Sequence, residues 1–136
     1  MVDVSAKGWT ARTAVATGCV TLSPRTLTRL AGGRIAKGDV LSVARVAGIQ
    51  AAKRTGELIP LCHAIRLDEV RVECVLDEKR HGVRIEALAK AREVTGVEME
   101  ALVAVSTAAL VVYDMCKGID KGMTIEGVRL LRKSGG

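Results

Sequence analysis

The stretch that decides the fold is EVRVECVLDEKRHGVRIEALAKARE, residues 69–93. In both of its halves apolar and charged residues largely alternate, and the polar segment DEKRHG, residues 77–82, separates the halves. Alternation of this kind is typical of strands that bury one face only, because successive side chains point to opposite faces of a sheet. The stretch therefore predicts a β-hairpin with one face against a core.

The part of the chain before this hairpin predicts one strand and two helices. TARTAVATGCVTL, residues 10–22, is rich in threonine and valine, which favour strands. Ser23 and Pro24 follow as an N-cap and a first helical position. Asp39 is the predicted N-cap of a second helix, which ends before Gly56.

A long helix and a last strand are predicted after the hairpin. The helix covers residues 98–117 and the strand covers MTIEGVRLL, residues 123–131, where a slip in the apolar phase indicates a bulge at Gly127. The order strand, helices, strand, strand, helix, strand is the split βαβ arrangement. We predict an α+β, ferredoxin-like plait with a four-stranded antiparallel sheet and helices on one face, as a single domain over residues 1–136.

Composition restricts the class of protein. The chain is 49% hydrophobic and 26% charged, as expected for one globular domain, and its formal charge of +6 favours an anionic partner. Its longest uncharged run, residues 101–113, is too short to span a bilayer, and no N-terminal signal pattern is present, so a cytoplasmic protein is predicted. The four cysteines contain no C-x-x-C pair, so neither a disulfide framework nor a metal site is predicted.

The predicted long helix is apolar on two sides. One stripe consists of Ala101, Leu102, Val105, Ala108, Ala109, Val112 and Cys116, and the opposite side, with Val103, Ala104, Thr107, Leu110 and Val111, is also uncharged. A helix on one face of a sheet is normally solvated on its far side. The sequence therefore predicts that this helix meets another subunit in a homo-oligomer.

An acid and a base follow this uncharged run. Asp114 and Lys117 are three residues apart, so they are neighbours on the surface of the helix. Beside a subunit interface both charges would be partly desolvated, and their pKa values could then suit proton transfer. The alternative interpretation is an ion pair at the end of a helix, where the dipole also favours a lysine.

Three further positions are candidates from their local sequence. His63, in the apolar segment ELIPLCHAI, could bind an anion or exchange a proton, or could simply bond to the backbone. Lys37 precedes the cap of the second helix, where anions are attracted, although it could be a solvated loop lysine. Glu98 and Glu100 are in the first turn of the long helix. The helix dipole favours acidic side chains there, so their position alone implies no function.

Taken together, these motifs resemble the MoaC family, the cyclic pyranopterin monophosphate synthases of molybdenum cofactor biosynthesis. The specific stretches are LIPLCH, TGVEMEAL and YDMCK, and MVDVSAK, KGDVLSVARVAGIQAAKRT and VRLLRKSGG extend the match in family order over nearly the whole chain. Two positions differ from the usual pattern: Ala64 stands where the family has proline, and Gly118 stands where it has alanine. Neither position carries a group that transfers protons.

The resemblance implies an activity, an assembly and a set of site residues. The activity is that of a phosphorus–oxygen lyase, which converts 3′,8-cyclo-7,8-dihydro-GTP to cyclic pyranopterin monophosphate with release of pyrophosphate. No cofactor is predicted. The assembly is a homohexamer built as a trimer of dimers, with the active site at the dimer interface. The implied catalytic residues are Asp114, Lys117 and Lys37, and the implied substrate-binding residues are Leu61, Cys62, His63, Met99 and Glu100. Arg12 is added because its guanidinium could stabilise negative charge on the phosphates.

Two other classes of protein share some of these sequence features. A basic split βαβ sheet would suit an RNA-recognition module, but such modules stack bases on aromatic side chains, and Trp9 and Tyr113 are the only aromatic residues here. We therefore predict no nucleic-acid partner and no membrane partner. A non-catalytic oligomeric nucleotide-binding module of the same fold stays open as the alternative to an enzyme.

Overall fold

The structure is a computed structural model that describes residues 1–136. Its elements are β1 (Thr10–Thr21), α1 (Pro24–Ala31), α2 (Val40–Lys53), α3 (Thr55–Leu58), β2 (Glu69–Asp77), β3 (Gly82–Glu93), α4 (Glu98–Cys116) and β4 (Thr124–Ser134). The predicted order of elements is confirmed. Helix α2 ends at Lys53, before Gly56 as predicted, whereas the short helix α3, which contains Gly56, was not predicted.

The four strands form one antiparallel sheet in the order β2-β3-β1-β4. Strand β3 lies between β1 and β2, so the split βαβ arrangement and the α+β, ferredoxin-like class are confirmed. The predicted bulge is also present, since Thr17 pairs with Arg129 whereas Cys19 pairs with Glu126, which leaves one extra residue in β4. Gly127 has a φ of 65° at this point, a conformation that glycine adopts without strain.

Both predicted N-caps are present. The Ser23 hydroxyl oxygen accepts a hydrogen bond of 3.2 Å from the backbone N–H of Thr26 at the start of α1. Asp39 Oδ1 accepts one of 3.2 Å from the N–H of Ser42 at the start of α2. These bonds satisfy donors that have no partner within the helix, and the Asp39 cap fixes where the loop containing Lys37 ends.

Helices α2 and α4 pack on one face of the sheet and on each other. The core between them consists mainly of small and β-branched residues, such as Val72, Ile85, Ala104 and Val105. Ala104 was predicted on the side of α4 that meets another subunit, but it is fully buried within the chain, because α2 lies beside it. Helix α4 is also the one helix that is long and apolar enough to cross a bilayer, and half of that segment is buried within the fold, as in a core helix.

Replacing Gly48 with leucine should destabilise the contact between α2 and α4. A Cβ atom at Gly48 would lie 2.9 Å from the carbonyl oxygen of Ala104, closer than real contacts of this kind. Because a backbone atom cannot move aside as a side chain can, we expect the free energy of unfolding to fall by about 1–3 kcal/mol in denaturant titrations. Gln50→Leu, an exposed position on the same helix, is the control, and equal stabilities for the two variants would contradict this packing.

Candidate active site

One carboxylate lies between two lysines at the C-terminal end of α4. Asp114 Oδ2 is 2.8 Å from Lys37 Nζ, and Asp114 Oδ1 is 3.0 Å from Lys117 Nζ. Lys37 Nζ also donates a hydrogen bond of 3.2 Å to the carbonyl oxygen of Asp114. The structure therefore brings together the three residues implied to be catalytic, although Lys37 is far from the other two in sequence.

Each member of this triad is positioned by a different local feature. Asp114 is in the last turn of α4, and Lys117 is the C-cap residue of that helix. Lys37 lies in the loop just before Asp39, the N-cap of α2. The three side chains line a cavity of about 210 Å³, and its remaining lining residues are Arg29, Ile35, Ala36, Met115, Gly118 and Ile119.

The charges of the triad are partly compensated. The hydrogen bonds from Lys37 and then from Lys117 lower the pKa of Asp114 below its usual value, so the carboxylate is ionised at neutral pH. All three side chains are more than half exposed in the chain. The desolvation that the sequence predicted is therefore absent from the single chain, whereas the ion pairing of the alternative interpretation is present.

A second group of predicted residues lies near the N-terminal end of α4. His63 Nε2 donates a hydrogen bond of 2.8 Å to the carbonyl oxygen of Val2, so its ring is held by the backbone, as one of the two interpretations predicted. Burial, together with the nearby charge of Glu100, raises the pKa of Cys62, which is therefore a neutral thiol and not a thiolate nucleophile. Leu61 and Met99 are exposed.

Glu100 differs most from what its sequence position indicated. An acid in the first turn of a helix is usually solvated, but Glu100 is only 1% exposed, and neither of its carboxylate oxygens has a hydrogen-bond partner. Burial raises its pKa to about 6. It borders a cavity of about 200 Å³ that α3 and the chain around Ala64 also line. An unpaired buried carboxylate at a cavity is a group that a ligand could pair.

The stability of the protein should depend on pH because Glu100 is buried. The pKa of Glu100 is raised to about 6 from an ordinary value of 4.5, so the folded state binds the proton more tightly than the unfolded state does. The cost of ionising the buried carboxylate is absent below pH 4.5, grows as the pH rises through 6, and reaches about 2 kcal/mol at neutral pH. Glu100→Gln should gain stability over the unmodified chain by that amount between pH 4.5 and pH 7.5 in denaturant titrations.

The control for this titration is Glu57→Gln, because Glu57 lines the same cavity but is exposed. The difference in stability between Glu57→Gln and the unmodified chain should change much less over this pH range. If the difference in stability between Glu100→Gln and the unmodified chain does not change with pH, Glu100 is solvated.

Arg12 lines a third cavity, separate from those of the triad and of Glu100. Its Nε donates a hydrogen bond of 3.2 Å to the carbonyl oxygen of Glu93, and its side chain lines a polar cavity of about 230 Å³ with Lys7 and Lys133. Glu98, also in this lining, pairs with Lys133 at 2.9 Å. Lys7 and Lys133 were not among the predicted site residues, although they belong to the matching stretches MVDVSAK and VRLLRKSGG. Their presence beside Arg12 makes this a basic cavity.

The predicted site residues therefore occupy opposite ends of α4. Met99 and Asp114 are fifteen residues apart on this helix, a rise of about 20 Å. Within one chain the lysine–carboxylate triad is therefore distant from the residues around Glu100. No group of three or more His, Cys, Asp or Glu side chains converges at either end in a way that could hold a metal ion.

The fold and these cavities define a class of protein: a small α+β domain with basic cavities, one of which holds an ionised carboxylate between two lysines. The family model described as the MoaC family matches residues 1–136, and the chain belongs to this family. The resemblance noted from the motifs is thus confirmed.

Three relatives of this chain have one name in common. A protein of Methylobacterium sp. (strain 4-46) is 59% identical over 136 residues, which are 100% of this chain and 85% of the relative. A protein of Roseiflexus sp. (strain RS-1) is 58% identical, with 100% and 86% covered. A protein of Chloroflexus aurantiacus (strain J-10-fl) is 55% identical, with 100% and 83% covered. Each is named cyclic pyranopterin monophosphate synthase, the name of an enzyme.

Proposed function

We propose that this chain forms cyclic pyranopterin monophosphate from 3′,8-cyclo-7,8-dihydro-GTP, releases pyrophosphate as a phosphorus–oxygen lyase, and acts in molybdenum cofactor biosynthesis. The observation that carries the proposal is the Lys37–Asp114–Lys117 triad, in a chain whose relatives have the name of this synthase over its full length. Glu69 also pairs with two cations, Arg71 and Lys90, but the triad differs because its side chains line a cavity of about 210 Å³.

The chemistry of the reaction suits these groups. Opening a purine ring and closing a pyranopterin requires several proton transfers, for which a carboxylate and two ammonium groups in contact are suitable acids and bases. In the free protein the ion pairs hold Asp114 ionised. A substrate that separates Asp114 from either lysine would leave a carboxylate able to accept a proton and an ammonium able to donate one. Lys37 and Lys117 would also stabilise the negative charge of the phosphates.

A second subunit would join the two ends of α4. Side chains that are exposed or half-buried recur along the outer side of this helix, at Met99, Val103, Ser106, Leu110 and Tyr113. Leu110, near the middle of the helix, is 58% exposed, which is unusual for a leucine in a core helix. Two antiparallel copies of α4, related by a two-fold axis near Ser106, would cover this stripe. They would also bring Met99 of one subunit opposite Tyr113, and so beside Asp114, of the other.

The resemblance to the MoaC family implies the other parts of this proposal. The active site lies at the dimer interface, Arg12, Leu61, Cys62, His63, Met99 and Glu100 bind the substrate from one subunit, and the triad acts from the other. Three such dimers form a homohexamer, and the protein is cytoplasmic, as a metabolite-converting enzyme without a membrane partner would be. The buried carboxylate of Glu100, which has no partner in one chain, supports a ligand or a neighbouring subunit at that end of α4.

The test is turnover of the proposed substrate. The purified protein is incubated with enzymatically prepared 3′,8-cyclo-7,8-dihydro-GTP, and both pyrophosphate release and the fluorescent oxidation product of the pterin are followed. We expect both signals to appear together. Tight binding of the substrate without either signal would overturn the synthase and favour the non-catalytic nucleotide-binding module.

A further inference from the structure

Three arginines form a cluster beside the triad that neither the motifs nor the implied site residues include. Arg25 and Arg29 are one helical turn apart on α1, and Arg34 lies in the turn that follows this helix. Together with Thr28 they line an open cavity of about 440 Å³ that contains no carboxylate. The cluster therefore adds three positive charges to one small surface.

These charges have no partners in the chain. None of the six ion pairs involves Arg25, Arg29 or Arg34. Like charges that are this close repel one another, so an uncompensated cluster favours the arrival of an anion. Guanidinium groups suit phosphate in particular, because their donors form paired, charge-assisted hydrogen bonds to its oxygens.

The central arginine is held in place. The Nε and Nη2 of Arg29 donate hydrogen bonds of 3.2 and 3.1 Å to the carbonyl oxygen of Arg34. The N–H of Arg34 in turn donates one of 2.8 Å to the carbonyl oxygen of Arg29. Arg29 is half-buried, so less side-chain freedom remains to be lost when an anion binds. Its guanidinium has five N–H donors, and those not used on Arg34 are available to a ligand.

Arg29 also connects the arginine cluster to the candidate active site. It lines both the open cavity of the cluster and the cavity that contains Lys37, Asp114 and Lys117. That second cavity has three cationic side chains in its lining and one carboxylate, so it too has an excess of positive charge. The two cavities thus form one cationic surface with Arg29 at their common edge.

We propose that Arg25, Arg29 and Arg34 form a polyphosphate-binding subsite that adjoins the Lys37–Asp114–Lys117 triad. The subsite binds the polyphosphate chain of an arriving nucleotide or the inorganic pyrophosphate that leaves. This proposal rests on the proposed function for the source of the phosphates, but not for the binding of the anion itself. Arg29 would contact the phosphates nearest the triad, and Arg25 and Arg34 those further out.

The test uses the double variant Arg25→Ala/Arg34→Ala, which keeps Arg29. Calorimetric titration with inorganic pyrophosphate at fixed ionic strength measures the subsite without any turnover. Since each charge-assisted bond to phosphate contributes about a factor of ten, we expect the pyrophosphate affinity to fall at least tenfold. If the anion is the polyphosphate chain of the arriving nucleotide, KM for the cyclised nucleotide should rise in kinetic assays while kcat stays unchanged.

The matched control is Arg45→Ala/Lys79→Ala, which removes the same charge from exposed positions outside both cavities. If both double variants change pyrophosphate affinity and KM equally, the arginines act only through net charge and the subsite is overturned. A loss of pyrophosphate affinity with a raised KM identifies the nucleotide as the source of the anion, and the same loss with KM unchanged identifies released pyrophosphate. If the unmodified protein binds pyrophosphate through these arginines but shows no turnover, the proposed function fails and the subsite stands.

Discussion

Replacing Asp114 with asparagine should lower kcat for the conversion of 3′,8-cyclo-7,8-dihydro-GTP by about 10²–10⁴-fold while substrate binding stays within a few-fold of normal. Asparagine keeps the size of the side chain and can still accept a hydrogen bond from a lysine. It cannot exchange a proton as a carboxylate does, and it has no charge to hold the ammonium groups of Lys37 and Lys117, which now lie 2.8 and 3.0 Å from Asp114. Pyrophosphate release in single-turnover assays measures the chemical step.

Asp77→Asn is the control for this substitution. Asp77 also forms an ion pair, with Arg80 at 3.8 Å, but it lies in the β2–β3 hairpin and away from the triad. This variant should keep the activity of the unmodified chain. Lys117→Ala should lose activity as Asp114→Asn does, because it removes the second member of the same contact. A kcat for Asp114→Asn equal to that of Asp77→Asn would overturn the assignment of the triad.

Co-expression of two inactive variants should restore activity if the site lies between subunits. One variant has Asp114→Asn, at the C-terminal end of α4, and the other has Arg12→Ala with His63→Ala, near the other end. In a mixed two-fold dimer one of the two sites receives only unmodified side chains. Random pairing makes half of the dimers mixed, so activity should rise from almost none to about a quarter of normal.

The control for co-expression places both changes at the same end of α4. A mixture of Asp114→Asn and Lys117→Ala should stay inactive, because every site then contains one altered triad. Tandem affinity tags on the two chains verify that mixed oligomers have formed. Failure of the first mixture to recover, with mixed oligomers present, would mean that each site is built within a single chain.

Much of the fold could be predicted from local patterns. The alternation in residues 69–93 predicted the hairpin, and Ser23 and Asp39 predicted where α1 and α2 begin, because a cap and a period of two depend on near neighbours only. The phase slip at Gly127 predicted the bulge for the same reason. Helix α3 escaped prediction because its four residues are too few to show a period.

The candidate site could be predicted as a set of residues but not as an arrangement. The motifs YDMCK and LIPLCH indicated Asp114, Lys117, Cys62 and His63 by resemblance, and the MoaC family match confirms that resemblance. Their roles at the site stay predictions. Helix periodicity predicted that Asp114 and Lys117 are neighbours. The resemblance implied that Lys37 is catalytic too, but no local pattern indicated that its ammonium group contacts the same carboxylate. Such a contact depends on how the loop before α2 folds against the end of α4.

By itself the sequence determined the elements, the α+β class and the family, because these follow from short-range periodicity, from capping residues and from contiguous motifs. Only the tertiary structure decided which charges are paired and which are buried. Glu100 is buried because α4 packs against the rest of the fold. Arg29 lies at the edge of two cavities because α1 ends beside the loop containing Lys37. Burial and pairing between distant residues depend on packing, which no local pattern specifies.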